Sequence, residues 1–367
     1  MTRDEPLTVA DIARLAQARL PRELWDYVAG GSGAETTLAA NRAALDEVAV
    51  LPRVLTAAAA PDPATRLLGS AAVSSMPLAV APMAYQRLLH PDGEFAAAEA
   101  AEVAGVPYVV STLASVSVEE IAKTGATTWF QLYWLRSPGL VESLVARAED
   151  AGCEALMVTV DVPVMGRRLR DARNSFVLPD DVVAAHLTDG AVGRAHDRVP
   201  GSSAIAAHTA AAFAPALGWA DLQWLRDRTA LPLILKGILD PRDAVRAVES
   251  GVDGVVVSNH GGRQLDGAAP SITALPAVVE AVAGRAVVYL DSGISSGADI
   301  LRACASGADG VLVGRPVLYG LAADGARGVE RVLSLLAEEF RAAMTLAGCA
   351  DIAAVRALTT VRTVRAS

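Results

Sequence analysis

Eight short, unbroken apolar runs govern what this chain can fold into. They occupy 77–83, 108–112, 127–133, 155–161, 231–237, 254–260, 286–293 and 310–316. Each is continuous rather than alternating, as in parallel strands buried on both faces. Their centres fall about 20–32 residues apart with one exception, and Ala- and Glu-rich helical stretches such as 93–102, 138–151 and 241–249 fill the gaps. Eight such units over about 250 residues predict a (β/α)8 TIM barrel at 76–350, preceded by a helical extension at 1–75, within one domain. A doubly wound sheet is the alternative, but neither a Gly-rich dinucleotide fingerprint nor a Walker loop follows the early strands. The exception is the fourth gap, about 75 residues between strand centres. A connection this long reads as a lid insertion over the mouth at 175–220, with surface decoration as the other reading.

Composition removes several classes. Hydrophobic residues make up 52% of the 367 and charged residues 20%, which excludes disorder, collagen-like repeats and coiled coil. A net charge of −9 argues against a nucleic-acid partner or an anionic membrane surface. Cys153, Cys304 and Cys349 are too few and too scattered for a disulfide framework or a zinc site, so no metal is expected. Neither a signal-type apolar core at the start nor an uninterrupted apolar run of about 18 residues is present, so a cytoplasmic protein is expected. Only Lys123 and Lys236 among the 32 basic residues are lysine. A lysine retained in so Arg-biased a chain suggests a site that needs a compact ammonium.

Barrel chemistry sits at the C-terminal ends of the strands. Here those ends carry Gln131 and Tyr133, Thr159 and Asp161, Lys236, Ser258, Asn259 and His260, Asp291, and Arg315. One such group can be a satisfied core residue; six strands ending this way point to a ligand. His260 ends an apolar strand and is followed by Gly261 and Gly262, which permit close backbone approach to a ligand, and by Arg263, a fork suited to carboxylate or phosphate. Asp161 can orient the imidazole as a base–carboxylate pair. The glycine turns Asp291-Ser-Gly293 and Gly314-Arg-Pro316 after strands seven and eight suggest a phosphorylated ligand.

The run Ser258-Asn-His-Gly-Gly-Arg-Gln-Leu-Asp266 resembles the signature of the FMN-dependent 2-hydroxy-acid oxidase and dehydrogenase family. Ala81-Pro-Met-Ala, Phe130-Gln-Leu-Tyr, Thr159-Val-Asp-Val-Pro, Gly166-Arg-Arg and Leu235-Lys-Gly follow the family's order, over about 20–349. The resemblance implies FMN as cofactor, His260 as base and Asp161 as its partner. It also implies that Arg263, Arg168, Tyr27 and Tyr133 hold the substrate carboxylate, and that Lys236 lies beside flavin N1 and O2. Ala84, Ser111, Gln131, Thr159 and Ser258 would contact the isoalloxazine and ribityl chain; Asp291, Gly293, Gly314 and Arg315 would hold the ribityl and phosphate. A homo-tetramer is implied as well.

Two departures stand out. Ser295 occupies a position where relatives place an arginine, so one phosphate contact is missing. Leu113 stands where glycolate-type relatives carry a bulky Trp. Leu113, Met165 and Trp134 around the expected side-chain pocket favour an aromatic substrate, (S)-mandelate or 4-hydroxymandelate, oxidised to the 2-keto acid with O2 reduced to H2O2, as in antibiotic biosynthesis. The alternatives are a lactate or other aliphatic oxidase, a quinone-linked dehydrogenase and, outside the family, a flavin-free phosphate-binding isomerase or lyase, or a non-enzymatic binding barrel.

Overall fold

A computed structural model describes residues 5–187, 209 and 212–363. Three helices lead: α1 (Val9–Arg19), α2 (Arg22–Ala29) and α3 (Thr36–Asp46). Thr8 and Asp11 form a capping box on α1, and Gly30 ends α2. The extension is not wholly helical. Strand β1 (Val48–Leu51) pairs antiparallel with Thr359–Arg362, near the other end of the chain. Four residues are too short for a periodicity signal, and their partner is distant in sequence.

Strands β2 (Leu78–Val80), β3 (Tyr108–Ser111), β4 (Thr128–Tyr133), β5 (Leu156–Thr159), β6 (Leu233–Ile238), β7 (Gly254–Val257), β8 (Val287–Leu290) and β9 (Gly310–Val313) form a closed parallel barrel in sequence order. β9 returns to β2, with Leu78 opposite Val311 and Val80 opposite Val313. The connections carry α4 (Gly93–Ala104), α5 (Val118–Ala122), α6 (Pro138–Asp150), α7 (Leu169–Asn174), α8 (Trp219–Arg226), α9 (Pro241–Glu249), α10 (Ser271–Val282), α11 (Gly297–Ala305) and α12 (Arg315–Leu346). α13 (Ile352–Arg356) and β10 (Thr359–Arg362) complete the chain. The barrel is therefore as the spacing predicts.

Its strands bury both faces, which is why the runs are continuous. One set of side chains, including Val80, Phe130, Val158, Leu235, Val257 and Val311, joins the outer core with the helices. The alternate set (Ala79, Val109, Trp129, Met157, Ile234, Val256, Tyr289 and Leu312) forms a separate apolar cluster inside the barrel.

Of the predicted insertion at 175–220, residues 188–208, 210 and 211 lie outside the described residues. On its near side Phe176, Leu178, Val182 and Leu187 are buried; on its far side Phe213 pairs with Leu135.

Candidate active site

The alternation that fills the barrel also builds its mouth. Two residues beyond each inward apolar side chain come Ala81, Ser111, Gln131, Thr159, Lys236, Ser258, Asp291 and Gly314, so the inner wall turns polar on six strands. These side chains bond to one another. Ser111 Oγ donates to Gln131 Oε1 at 3.2 Å, and Gln131 Nε2 donates to Thr159 Oγ1 at 3.0 Å. Lys236 Nζ lies 3.1 Å from Ser258 Oγ and 2.9 Å from Asp291 Oδ2. Burial works against the ammonium, but Asp291 and Asp161 outweigh it and hold the Lys236 pKa above the ordinary lysine value. Lys236 is thus a charged residue in a dry wall.

A further inward step reaches Leu113, Tyr133, Asp161 and His260. His260 Nδ1 lies 3.0 Å from Asp161 Oδ1. Desolvation, opposed by Asp161 and assisted by Lys236, lowers the His260 pKa, so the imidazole is neutral at pH 7. With Nδ1 carrying the proton towards Asp161, Nε2 is the basic nitrogen. The sequence behind this geometry is specific. Gly237, at φ 114°, lets Asp161 in: a Cβ there would lie 2.6 Å from Asp161 Cβ. His260 itself has φ 58°, opening a left-handed turn through Gly261 and Gly262. The close approach that Gly262 permits is to α3, since its Cβ would lie 2.6 Å from Leu38 N. That corrects the expectation of a ligand contact at this glycine.

Three guanidiniums gather opposite the histidine. Arg263 Nη1 donates to the carbonyls of Tyr27 and Gly30 at 2.8 and 3.0 Å. Burial, with Arg168 and Arg315 beside it, pulls its pKa down to about 9. Arg168 faces the Tyr27 ring at 5.9 Å and Arg263 faces it at 5.3 Å. Arg168 Nε is buried with no hydrogen-bond partner among the described residues, and Arg168 Nη1 lies 4.0 Å from Asp171 Oδ2. A buried cluster of cations with an unsatisfied donor is a site for an anion, and the fork geometry suits a carboxylate. Phenyl rings brace both tyrosines: Phe176 stacks on Tyr27 at 4.9 Å and Phe213 on Tyr133 at 4.4 Å.

These residues surround one cavity of about 400 Å³. Tyr27, Ala84, Ser111, Tyr133, Arg168, Lys236, His260, Arg263, Asp291, Gly293, Gly314 and Arg315 all line it. Gln131, Ser258 and Asp161 stand behind the lining, each bonded to a residue in it, and Thr159 is bonded to Gln131. Leu113 and Met165 line it too, but Trp134 does not: its ring packs edge-on against Trp224 at 5.5 Å. Strand alternation explains this, because the neighbour of an inward Tyr133 faces outward.

At the glycine-turn end, Arg315 opens α12, but its guanidinium donates to the carbonyls of Val28, Gly30 and Gly261. Ser295 lines the cavity there, and Arg42 of α3 donates to Ser295 Oγ and to the Gly293 carbonyl, both at 3.0 Å. Arg42 had no sequence signal, because the contacts that bring it to this end of the cavity span 251 residues or more. The second half of the signature run is also structural. Gln264 Nε2 donates to the Asp161 carbonyl at 3.0 Å, Gln264 Oε1 accepts from Gly166 N at 3.0 Å, and Asp266 accepts from Ala34 N and Thr37 N at the start of α3. Asn259 and Asn41 exchange side-chain hydrogen bonds.

Comparison with known proteins fits this geometry. Residues 16–362 match the family described as FMN-dependent dehydrogenase. The chain is 54% identical to a 4-hydroxymandelate oxidase of Amycolatopsis orientalis, over 96% of this chain and 98% of that protein. It is 47% identical to an L-lactate oxidase of a Nostoc species, over 95% of this chain and 96% of that protein. A crystal structure of a mandelate oxidase with (S)-4-hydroxymandelic acid superposes with a TM-score of 0.95 at 53% identity, covering 98% of this chain and all of the other.

Proposed function

The chain belongs to the FMN-dependent dehydrogenase family, and on that premise we propose that it oxidises aromatic 2-hydroxy acids, (S)-mandelate or 4-hydroxymandelate, to the 2-keto acid, with O2 reduced to H2O2. It is an FMN-dependent oxidoreductase acting on 2-hydroxy acids. One observation carries the substrate reading: a neutral histidine backed by a carboxylate faces two buried guanidiniums across a cavity whose side wall is Leu113 and Met165.

The residues present fit FMN. The polar wall of Ser111, Gln131, Thr159, Lys236 and Ser258 offers donors to a flavin ring, with Ala84 small enough for a flat ring to lie against it. Asp291, Gly293, Gly314 and the Arg315 backbone at the start of α12 suit a ribityl phosphate. Ser295 and Arg42 stand where a second cation is wanted. When bound, FMN supplies the two-electron acceptor that the oxidation needs.

The protein's own part is positioning and proton transfer. Arg168 and Arg263 fix the substrate carboxylate, and the Tyr27 and Tyr133 hydroxyls complete the clamp. His260 Nε2 takes a proton from the substrate, from C2 or from its hydroxyl, and Asp161 stabilises the imidazolium that results. The substrate loses two electrons and two protons in all, the quantity that converts O2 to H2O2. Asp161 lies at the near end of the long connection, and Phe176 and Phe213, in its described parts, stack on Tyr27 and Tyr133 and shield the clamp from water.

The L-lactate oxidase relative favours a second reading, an aliphatic substrate. A panel of mandelate, 4-hydroxymandelate, lactate and glycolate, scored under air for peroxide with the yellow purified protein, decides between them. Lactate outpacing mandelate removes the aromatic reading, and reoxidation far faster with a quinone than with O2 makes the protein a dehydrogenase. We also infer a cytoplasmic homo-tetramer. Exposed Val54, Leu55 and Leu346 are residues that an assembly can cover, and no helix among the described residues is long and apolar enough to cross a membrane.

A further inference from the structure

The roles above account for every cationic side chain and for the base in the cavity, but leave one buried hydroxyl unexplained. Tyr85 follows Ala84 on the loop after β2 and has φ 55°, a left-handed conformation that a bulky residue adopts only where its surroundings enforce it. Its backbone N–H donates to the Leu113 carbonyl at 3.0 Å, which ties it to the residue on the side-chain wall. The side chain lines the cavity, is 1% exposed, and its hydroxyl has no hydrogen-bond partner among the described residues.

An unpaired buried hydroxyl is costly, so one that lines a cavity is explained where a ligand pairs it. The other unpaired buried side-chain atoms near this region, Arg168 Nε, Asp171 Oδ2 beside it and Asp161 Oδ2, belong to the carboxylate clamp and the base. Tyr85 belongs to neither. Burial, with Tyr27 and Tyr133 nearby, raises its pKa, so the phenol keeps its proton and remains a donor. Its backbone tie to Leu113 puts Tyr85 beside the wall that receives the substrate's side chain, with the clamp residues Tyr27 and Tyr133 as neighbours on the other side.

We propose that the Tyr85 hydroxyl hydrogen-bonds a hydroxyl on the substrate's aromatic ring, and that it selects ring-hydroxylated over unsubstituted aryl 2-hydroxy acids. The inference rests on the aromatic reading above. A site built around a substrate hydroxyl leaves its own group unpaired when the analogue lacks it, and this is a strong source of discrimination.

The test is Tyr85→Phe, which removes the hydroxyl and keeps the ring. Its kcat/KM for 4-hydroxymandelate should fall about tenfold, the factor that corresponds to about 1.4 kcal/mol, while that for mandelate stays level or rises. A second arm does not depend on turnover. Phenylacetate and 4-hydroxyphenylacetate, which lack the oxidisable hydroxyl, are titrated into wild type and variant holoenzyme and followed by the flavin spectrum. Wild type should bind the phenol more tightly, and Tyr85→Phe should erase that preference. Equal losses on both substrates, or an unchanged phenol preference in the variant, overturn the assignment. Failure of wild type to oxidise either aryl acid overturns the aromatic reading instead, and the binding ratio still decides Tyr85.

Discussion

The Nδ1 of His260 lies 3.0 Å from Oδ1 of Asp161, while the second oxygen of that carboxylate is buried with no partner among the described residues. Asp161 therefore directs its available hydrogen bond to the imidazole. The tautomer is fixed, Nε2 is left as the base, and a positive charge arising on the ring meets a carboxylate already in place.

The pH dependence follows from this pair. The folded His260 pKa is lowered below 6.5, so the basic form persists through neutrality and is lost only as pH falls past that depressed value. Anaerobic stopped-flow should show flavin reduction reaching a plateau on the alkaline side and declining towards acid, with the midpoint of that limb below about pH 6.5. His260→Ala should slow reduction by about 10²–10⁴-fold with FMN still bound. Asp161→Asn removes the group that raises the imidazole pKa, so its acid limb should shift further down. An acid limb centred above 6.5 overturns the assignment of His260.

Arg263→Lys should raise KM strongly, because one ammonium cannot reproduce a fork. Arg168 is buried as well, its side chain 9% exposed, and carries the unpaired Nε. Arg168→Lys is therefore also costly. Charged hydrogen bonds are worth about 1.5–3 kcal/mol, about 10–150-fold in kcat/KM for each variant. Steady-state kinetics showing either lysine variant within threefold of wild type contradict the shared clamp.

The wall at Leu113 sets substrate size. Leu113→Trp should close the volume beside Met165 and shift preference from mandelate towards lactate and glycolate by tenfold or more, on about 25 cal/mol per Å² of aryl surface no longer buried. Relative kcat/KM across the panel measures it. An unchanged ratio would place the aryl group elsewhere.

Stability at low pH should depend on Asp299. Its side chain is fully buried; burial opposes its ionisation, but Arg42, at 2.6 and 2.7 Å, overrides that and holds the pKa below 3.8. A depressed folded pKa gives stability that is present above the unfolded value and lost as pH falls through the folded one. Urea unfolding should therefore weaken below about pH 4 in wild type, and Asp299→Asn should flatten that limb. Arg42→Ala leaves the buried Asp299 with Arg302, at 3.0 Å, as its remaining cation, and should cost less than the about 3–5 kcal/mol of a buried charge stripped of every partner. An Asn variant with the same acid limb assigns the loss to other carboxylates.

Gly262→Ala tests the seam between the signature loop and α3. The φ of 73° and the approach to Leu38 N oppose any side chain, and left-handed strain alone costs about 1–3 kcal/mol. Unfolding midpoints should drop. A midpoint equal to wild type means the seam yields without cost.

The sequence by itself determined the barrel and most of the candidate site, and the reason is the strand period of two. Continuous apolar runs at regular spacing leave few folds other than a closed parallel barrel. The polar residues ending those runs, from Ser111 to Asp291, are the inward positions one step above the apolar interior. Only the tertiary structure could decide contacts made between segments far apart in the chain. Arg42 reaches Asp299 across 257 residues, Asn41 meets Asn259 across 218, and Asp266 holds the start of α3. The same holds where alternation must be anchored before it can be read. Trp134 and Tyr133 are adjacent in sequence, and only the strand's orientation turns one ring outward and the other into the cavity. Tyr85 was legible as a residue but not as an unpaired hydroxyl, because that property belongs to its surroundings rather than to the chain.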